Sequence, residues 1–244
     1  AGSAASAVEA ASQAAVPGGD SDMARLSVDR FAEQLGVALG DQLVTLLLYG
    51  SAVREPGARS SEPAMNTLLI VASVNRELFA RVGPAVRDWV NAKHPAPLVM
   101  TEQEWRDSAD AFPIEYEDIQ AHHRVLAGRD PWGGITVSRE HARRQLEHEL
   151  MGKLMHLRQA YAAEWSNPKG LTEVVRATWA GFLTMLRAVL RLTGRPAPAS
   201  SEALTREAAT LIGFAPQGLT EPAAYLDAVT RTAQYVNRME RNSL

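Results

Sequence analysis

The apolar positions of this chain fall into two textures. Leu26, Val28, Phe31, Leu35, Val37 and Leu39 supply the apolar surface of a first helix that ends near Gly40. From there to about Asp130, short apolar runs alternate with helical spacing. Leu43 to Tyr49 is a continuous apolar run closed by Gly50, which reads as a strand buried on both faces. A second run, Thr67 to Ala72, follows a Gly/Ser/Pro-rich loop. Leu78, Phe79, Val82, Val86, Trp89 and Val90 then recur as one helix face requires. Pro95 and Pro97 end that helix, Leu98 to Met100 begins a shorter strand, and Thr101 to Ser108 predicts a helical turn. Ile114 to Ile119 reads as a last strand with polar residues on it. This alternation predicts a mixed α/β (α+β) sheet with flanking helices.

Beyond Ser138 only helical spacing remains. Leu146, Leu150, Leu154, Leu157 and Tyr161 make one stripe, broken by Asn167-Pro168-Lys169-Gly170. Leu171, Val175, Thr178, Phe182, Met185, Val189 and Leu192 alternate spacings of four and three, a seam suited to antiparallel packing. Leu204, Ala208, Leu211 and Ile212 mark a third helix, and Leu226, Val229, Ala233 and Val236 a fourth. Four helices with short connections predict an all-α bundle. The domain reading is therefore a leader over 1–22, an α/β domain over 23–130 and a helical bundle over 131–244.

Composition narrows the functional classes. Fifteen of the first 22 residues are Ala, Gly or Ser with no basic region ahead of an apolar core, so this stretch reads as a flexible leader and not as a signal peptide. With 25 basic and 28 acidic residues the net charge is −3, which provides no global basic field for nucleic acid or an anionic membrane. The absence of cysteine removes disulfides, thiolate catalysis and cysteine-ligated zinc, and fits a cytoplasmic setting. No apolar run approaches the roughly 20 residues of a membrane span.

One stretch carries chemistry: Leu47-Leu48-Tyr49-Gly50-Ser51-Ala52, a loop, then Ala64-Met65-Asn66-Thr67-Leu68-Leu69. It resembles the signature of the DNA polymerase β-like nucleotidyltransferases, in which an apolar strand ends in Gly-Ser and a second strand carries two carboxylates one residue apart. The order of elements, a small mixed sheet followed by a helical domain, resembles the minimal and aminoglycoside nucleotidyltransferases. The resemblance implies that Gly50 and Ser51 bind nucleotide phosphates through exposed backbone N–H groups and a hydroxyl. It also implies a pair of carboxylates holding divalent metal ions. Here Ala64 and Asn66 stand at those two places. Ala64 offers a metal nothing and Asn66 one neutral oxygen, where a hard dication needs anionic oxygens.

We therefore expect a nucleotidyltransferase-like protein that is catalytically inactive, with no metal site and no cofactor. It would act as a nucleotide- or small-ligand-binding or scaffolding protein through Gly50, Ser51, Arg54 and Asn66. One alternative is an active, magnesium-dependent transferase acting on a small molecule or partner protein, with a metal site rebuilt from Glu62, Glu115 or Glu117. Another is an interaction module of a toxin–antitoxin-like pair, with a protein partner or a second copy. Glu115 and Glu117 are the weak catalytic candidates, because strand alternation puts both on one face where the resembling family places a third carboxylate. Arg54 and Arg59 follow the Gly-Ser turn, where cations meet phosphate oxygens. The histidines argue against metal: His141 and His148 lie two helical turns apart, and His122-His123 sit in a segment read as helical. Arg139, Arg143, Arg144, Lys153 and Arg158 are interspersed with Glu140, Glu147 and Glu149, a mixed solvated face. Trp132, beside Gly133-Gly134, reads as a packing anchor at the domain junction.

Overall fold

The computed structural model describes residues 27–54 and 65–239. They divide into two compact units. One comprises the described residues up to Ala109 together with Ile119–Ile135, and the other Asp110–Asp118 together with the described residues from Thr136 onward.

The first unit opens with α1 (Val28–Leu39), whose N-terminus is capped by Ser27 Oγ accepting from the Arg30 N–H at 3.2 Å. Phe31, Ala32, Leu35 and Leu39 are buried, whereas Val37 is 83% exposed because the 3.6-residue period carries it to the far side. A 3₁₀ turn at Gly40–Gln42 leads into β1 (Leu43–Tyr49), and Gly50 leads into the single turn α2 (Ser51–Arg54). Then come β2 (Asn66–Val71), α3 (Arg76–Asn91), β3 (Leu98–Thr101), α4 (Glu102–Asp107), α5 (Pro113–Ala121) and β4 (His123–Gly128). The sheet order is β3-β2-β1-β4, with β1 antiparallel to both neighbours and β2 parallel to β3 across the α3 crossover. This mixed sheet with flanking helices matches the predicted fold class.

Strand alternation sorts the side chains. Leu46, Leu69 and Val71 share one core with Phe31, Leu35 and Leu39 of α1 and Leu78, Val82, Ala85 and Trp89 of α3. Phe79 and Val90 are instead 52% and 37% exposed, since the 78-82-85-89 row faces the sheet. Leu47 and Leu68, paired across β1 and β2, point to the opposite face.

Two sequence expectations change here. Ile114 to Ile119 is not a strand but most of α5, and the last strand is β4, in a stretch read as helical. The alternation Ile-Glu-Tyr-Glu mimics a strand. Yet Ile114, Tyr116, Asp118 and Ile119 are all buried in a helix that has no amphipathic stripe to announce it. β4 exists through its pairing with β1, a non-local partner that a local pattern does not show.

In the second unit α6 (Arg139–Glu164), α7 (Pro168–Leu192), α8 (Ser201–Ile212) and α9 (Pro222–Met239) form a bundle with Ile114 of α5 in its core. α6 packs on α7 and α9, and α7 also on α8 and α9. Ala142, Leu146, Leu150, Leu154 and Leu157 form the buried stripe of α6. Residues Phe182 to Val189 of α7 are buried on nearly every side, Arg187 included, so its second half is the centre of the bundle.

Candidate functional site

At one end of the sheet three residues stand abreast on adjacent strands: His123 of β4, Tyr49 of β1 and Asn66 of β2. The chain leaves this end at Gly50, whose φ of +84° belongs to the left-handed region that glycine adopts without a Cβ penalty. A Cβ at Gly50 would lie 3.2 Å from Asn66 Nδ2, so the amide of Asn66 sits directly against the turn. The Gly50 carbonyl accepts from the N–H groups of Val53 and Arg54, both at 3.1 Å, closing the turn of α2. Ser51 and Ala52 open that turn, so their N–H groups have no carbonyl within it. Ser51 is exposed and Arg54 half-buried.

The approach to Asn66 is held from beneath by rings. Phe31 stacks on Trp89 with centroids 4.3 Å apart, and Trp89 lies 4.1 Å from the ring of His94. The buried His94 presents Nδ1 to the N–H of Met65, a long contact of 3.5 Å, at the residue next to Asn66. Its single buried imidazole in a loop gave the sequence reading no signal.

A divalent metal site of the resembling family draws its carboxylates from the strands. None of the four described strands carries Asp or Glu, and the described side chains that stand abreast at the Gly50 end offer an amide, a phenol and an imidazole. Among the described residues no group of three His, Asp or Glu side chains is placed to hold a metal ion. This donor set does not fit a magnesium pair. Ala64, Glu62 and Arg59 lie outside the described residues.

No family model matches the chain, and no curated protein matches its sequence. Among solved structures it is similar to spectinomycin adenyltransferase AAD(9) from Enterococcus faecialis, determined with ATP and spectinomycin. The match has a TM-score of 0.51 at 13% identity and covers 85% of this chain and 96% of that one. The fold is nucleotidyltransferase-like. At that identity the likeness concerns the fold alone.

Gly50 and Asn66 are thus in contact, with Ser51 the next residue and Arg54 closing the turn. Glu115 and Glu117 are not on the sheet: they belong to the helical unit, on α5. Burial pushes both carboxyls above their ordinary range. At Glu115 this is offset in part by the hydrogen bond from Gln145 Nε2 at 2.8 Å, and at Glu117 by the charges of Arg191 and Arg139. Gln145 also receives the Ile114 N–H on Oε1 at 3.0 Å, so one amide clamps the start of α5 from both sides. These contacts join Glu115 and the start of α5 to α6. His123, read as part of a helix, begins β4 abreast of Tyr49.

Trp132 belongs to the first unit. Its ring meets Trp105 edge-on at 5.1 Å and its indole N–H reaches His123. Among the described residues no helix is long and apolar enough to cross a membrane.

Proposed function

We propose that this chain is a catalytically inactive member of the nucleotidyltransferase-like fold that binds a nucleotide or another small phosphorylated ligand at Gly50, Ser51, Arg54 and Asn66, without a divalent metal. The observation that carries this reading is the amide of Asn66 lying against the Gly50 turn on strands without a single carboxylate. Two-metal nucleotidyl transfer depends on carboxylate-held cations to neutralise the charge that develops on the phosphates. Ser51 offers a hydroxyl and backbone N–H groups, and Asn66 an amide that donates to an anionic oxygen as readily as it accepts.

Calorimetric titration of the full chain with ATP tests the reading. The expected result is binding unchanged by magnesium, together with no nucleotidyl transfer above background with magnesium or manganese. Magnesium-dependent binding with turnover would replace this reading by the active transferase, with Glu62 the first residue to change. Restoring both carboxylates, Ala64→Asp with Asn66→Asp, should raise magnesium affinity at the cleft.

A further inference from the structure

Between α1 and α3 of the first unit runs a solvent-facing groove of about 390 Å³. Each helix joins its strand through a short reversal, and β1 and β2 are antiparallel, so α1 and α3 are antiparallel too. Phe31 near the start of α1 accordingly stacks on Trp89 near the end of α3. The same pairing brings Glu33 and Gln34 to the level of Asp88 and leaves Val37 toward Arg81.

The groove is therefore polar at its two ends and apolar between them. Glu33 and Asp88 place two carboxylates at one end, where Gln34 Oε1 is also buried with no hydrogen-bond partner among the described residues. Arg81 places a guanidinium at the other end. Pro84 and Ala85 lie between, and Val37 on the facing wall is the most exposed large apolar side chain among the described residues. Among those residues the side chains of Glu33, Arg81 and Asp88 enter no ion pair, although Glu77 stands one helical turn before Arg81.

We propose that a second copy of this chain docks on this groove about a two-fold axis that crosses it at the level of Pro84 and Ala85. Arg81 and Asp88 lie about two turns apart on one side of α3, and that axis falls midway between them. It runs α3 antiparallel to its copy, so each Arg81 meets the Glu33, Gln34 and Asp88 end of the other copy. A guanidinium carries five N–H donors, enough for all three acceptors. Both Val37 side chains are covered close to the axis. An axis along the groove would instead set carboxylates on carboxylates and Arg81 on Arg81, so charge selects the first arrangement. Charge also selects the occupant. A groove shaped for a peptide of one sign needs the opposite sign throughout, whereas opposite signs at equal distances from an apolar centre are what a self-complementary contact requires. With charges around so little apolar surface, the contact is of the small, transient class. It does not depend on the ligand reading, whose residues lie outside the groove.

Sedimentation velocity of the full chain over a wide range of concentration tests this. The expected result is a reversible monomer–dimer equilibrium in the micromolar range, weakened about tenfold or more by high salt or by Val37→Glu. Charge exchange locates the contact. Arg81→Glu makes the groove acidic throughout, and Glu33→Lys with Asp88→Lys makes it basic throughout. Each variant alone should be monomeric, and an equimolar mixture of the two should dimerise again. All four positions are exposed, so circular dichroism should show the parent fold in every variant. The chain has no cysteine, so Pro84→Cys puts a unique thiol beside the axis. Under mild oxidation it should join two copies about tenfold faster or more than Phe79→Cys, whose position is exposed on another side of α3. A chain that stays monomeric at every concentration, its groove empty or filled by residues ahead of Ser27, would overturn the proposal. So would a dimer indifferent to Arg81→Glu and Val37→Glu, a mixture that remains monomeric, or equal cross-linking at the two thiols.

Discussion

Gly128 ends β4 at a point where no side chain fits. Its φ is +80°, and a Cβ there would lie 2.2 Å from the Val44 carbonyl oxygen of β1. Gly128→Ala must therefore move the strand or the backbone, and is expected to cost about 2–4 kcal/mol in urea denaturation, at the high end for a single methyl group. Glu115 makes the opposite case, a residue whose replacement helps. Its folded-state pKa is raised above the unfolded value by burial. The stability tied to its protonated form is complete below the ordinary carboxylate pKa and is lost as pH rises through the folded-state value. Glu115→Gln removes the charge and can still accept from Gln145. The variant should match the parent near pH 4 and exceed it in stability by a growing margin toward pH 7, read from denaturation midpoints at several pH values. Of the site residues, Gly50 and Ser51 were legible in the sequence because a strand ending in Gly-Ser is a local pattern. His123 was not, because its place depends on the strand beside it.

At the scale of elements, α5 is held by its polar anchors. Asp118 and Arg191 pair at 2.8 Å with only 13% and 17% of their side chains exposed, which ties α5 to the end of α7. Arg191 also acts on the raised carboxyl of Glu117, and both Arg191 Nη1 and Glu117 Oε2 are buried with no hydrogen bond among the described residues. The pair is thus asymmetric. Removing Arg191 strands two buried carboxyls, whereas removing Asp118 leaves the guanidinium facing Glu117. Arg191→Met should destabilise by about 3–5 kcal/mol and Asp118→Asn by distinctly less. Glu202→Ala, which breaks the exposed Arg206–Glu202 pair, should stay within about 0.5 kcal/mol of the parent. Thermal melting of the three variants checks the order. Sequence periodicity could not find α5, because its buried residues Ile114, Tyr116, Asp118 and Ile119 do not fall on one apolar stripe, whereas α6 and α7 betrayed themselves through apolar rows at spacings of three and four.

At the scale of the whole molecule, the chain path crosses between the two units more than once. Residues 110–118 belong with the helices although the residues on both sides belong with the sheet. A fragment beginning at residue 131 therefore lacks Ile114 from its core and the α5 partners of Gln145 and Arg191. Such a fragment should melt lower and less cooperatively than the bundle in the full chain. Fusing residues 110–121 to its N-terminus through a flexible linker should recover part of the loss, as followed by circular dichroism. An unaided fragment that melts as sharply as the full chain would show that α5 contributes nothing to the bundle.

What the sequence by itself determined is what short-range periodicity and composition encode: β1 and β2 as apolar runs without a carboxylate, α1, α3 and the four bundle helices as stripes, and the Gly50-Ser51 turn. Each of these rests on a preference that a residue expresses with its near neighbours. Tertiary structure alone decided that Ile114 to Ile119 coils as a helix among other helices while His123 to Gly128 extends against β1. Both outcomes depend on partners far away in the chain: α5 is stabilised by Gln145 and Arg191, and β4 by a ladder to β1. The same long-range pairing put the His123 imidazole abreast of Tyr49 at the Gly50 end of the sheet, in a segment that local reading took for a helix.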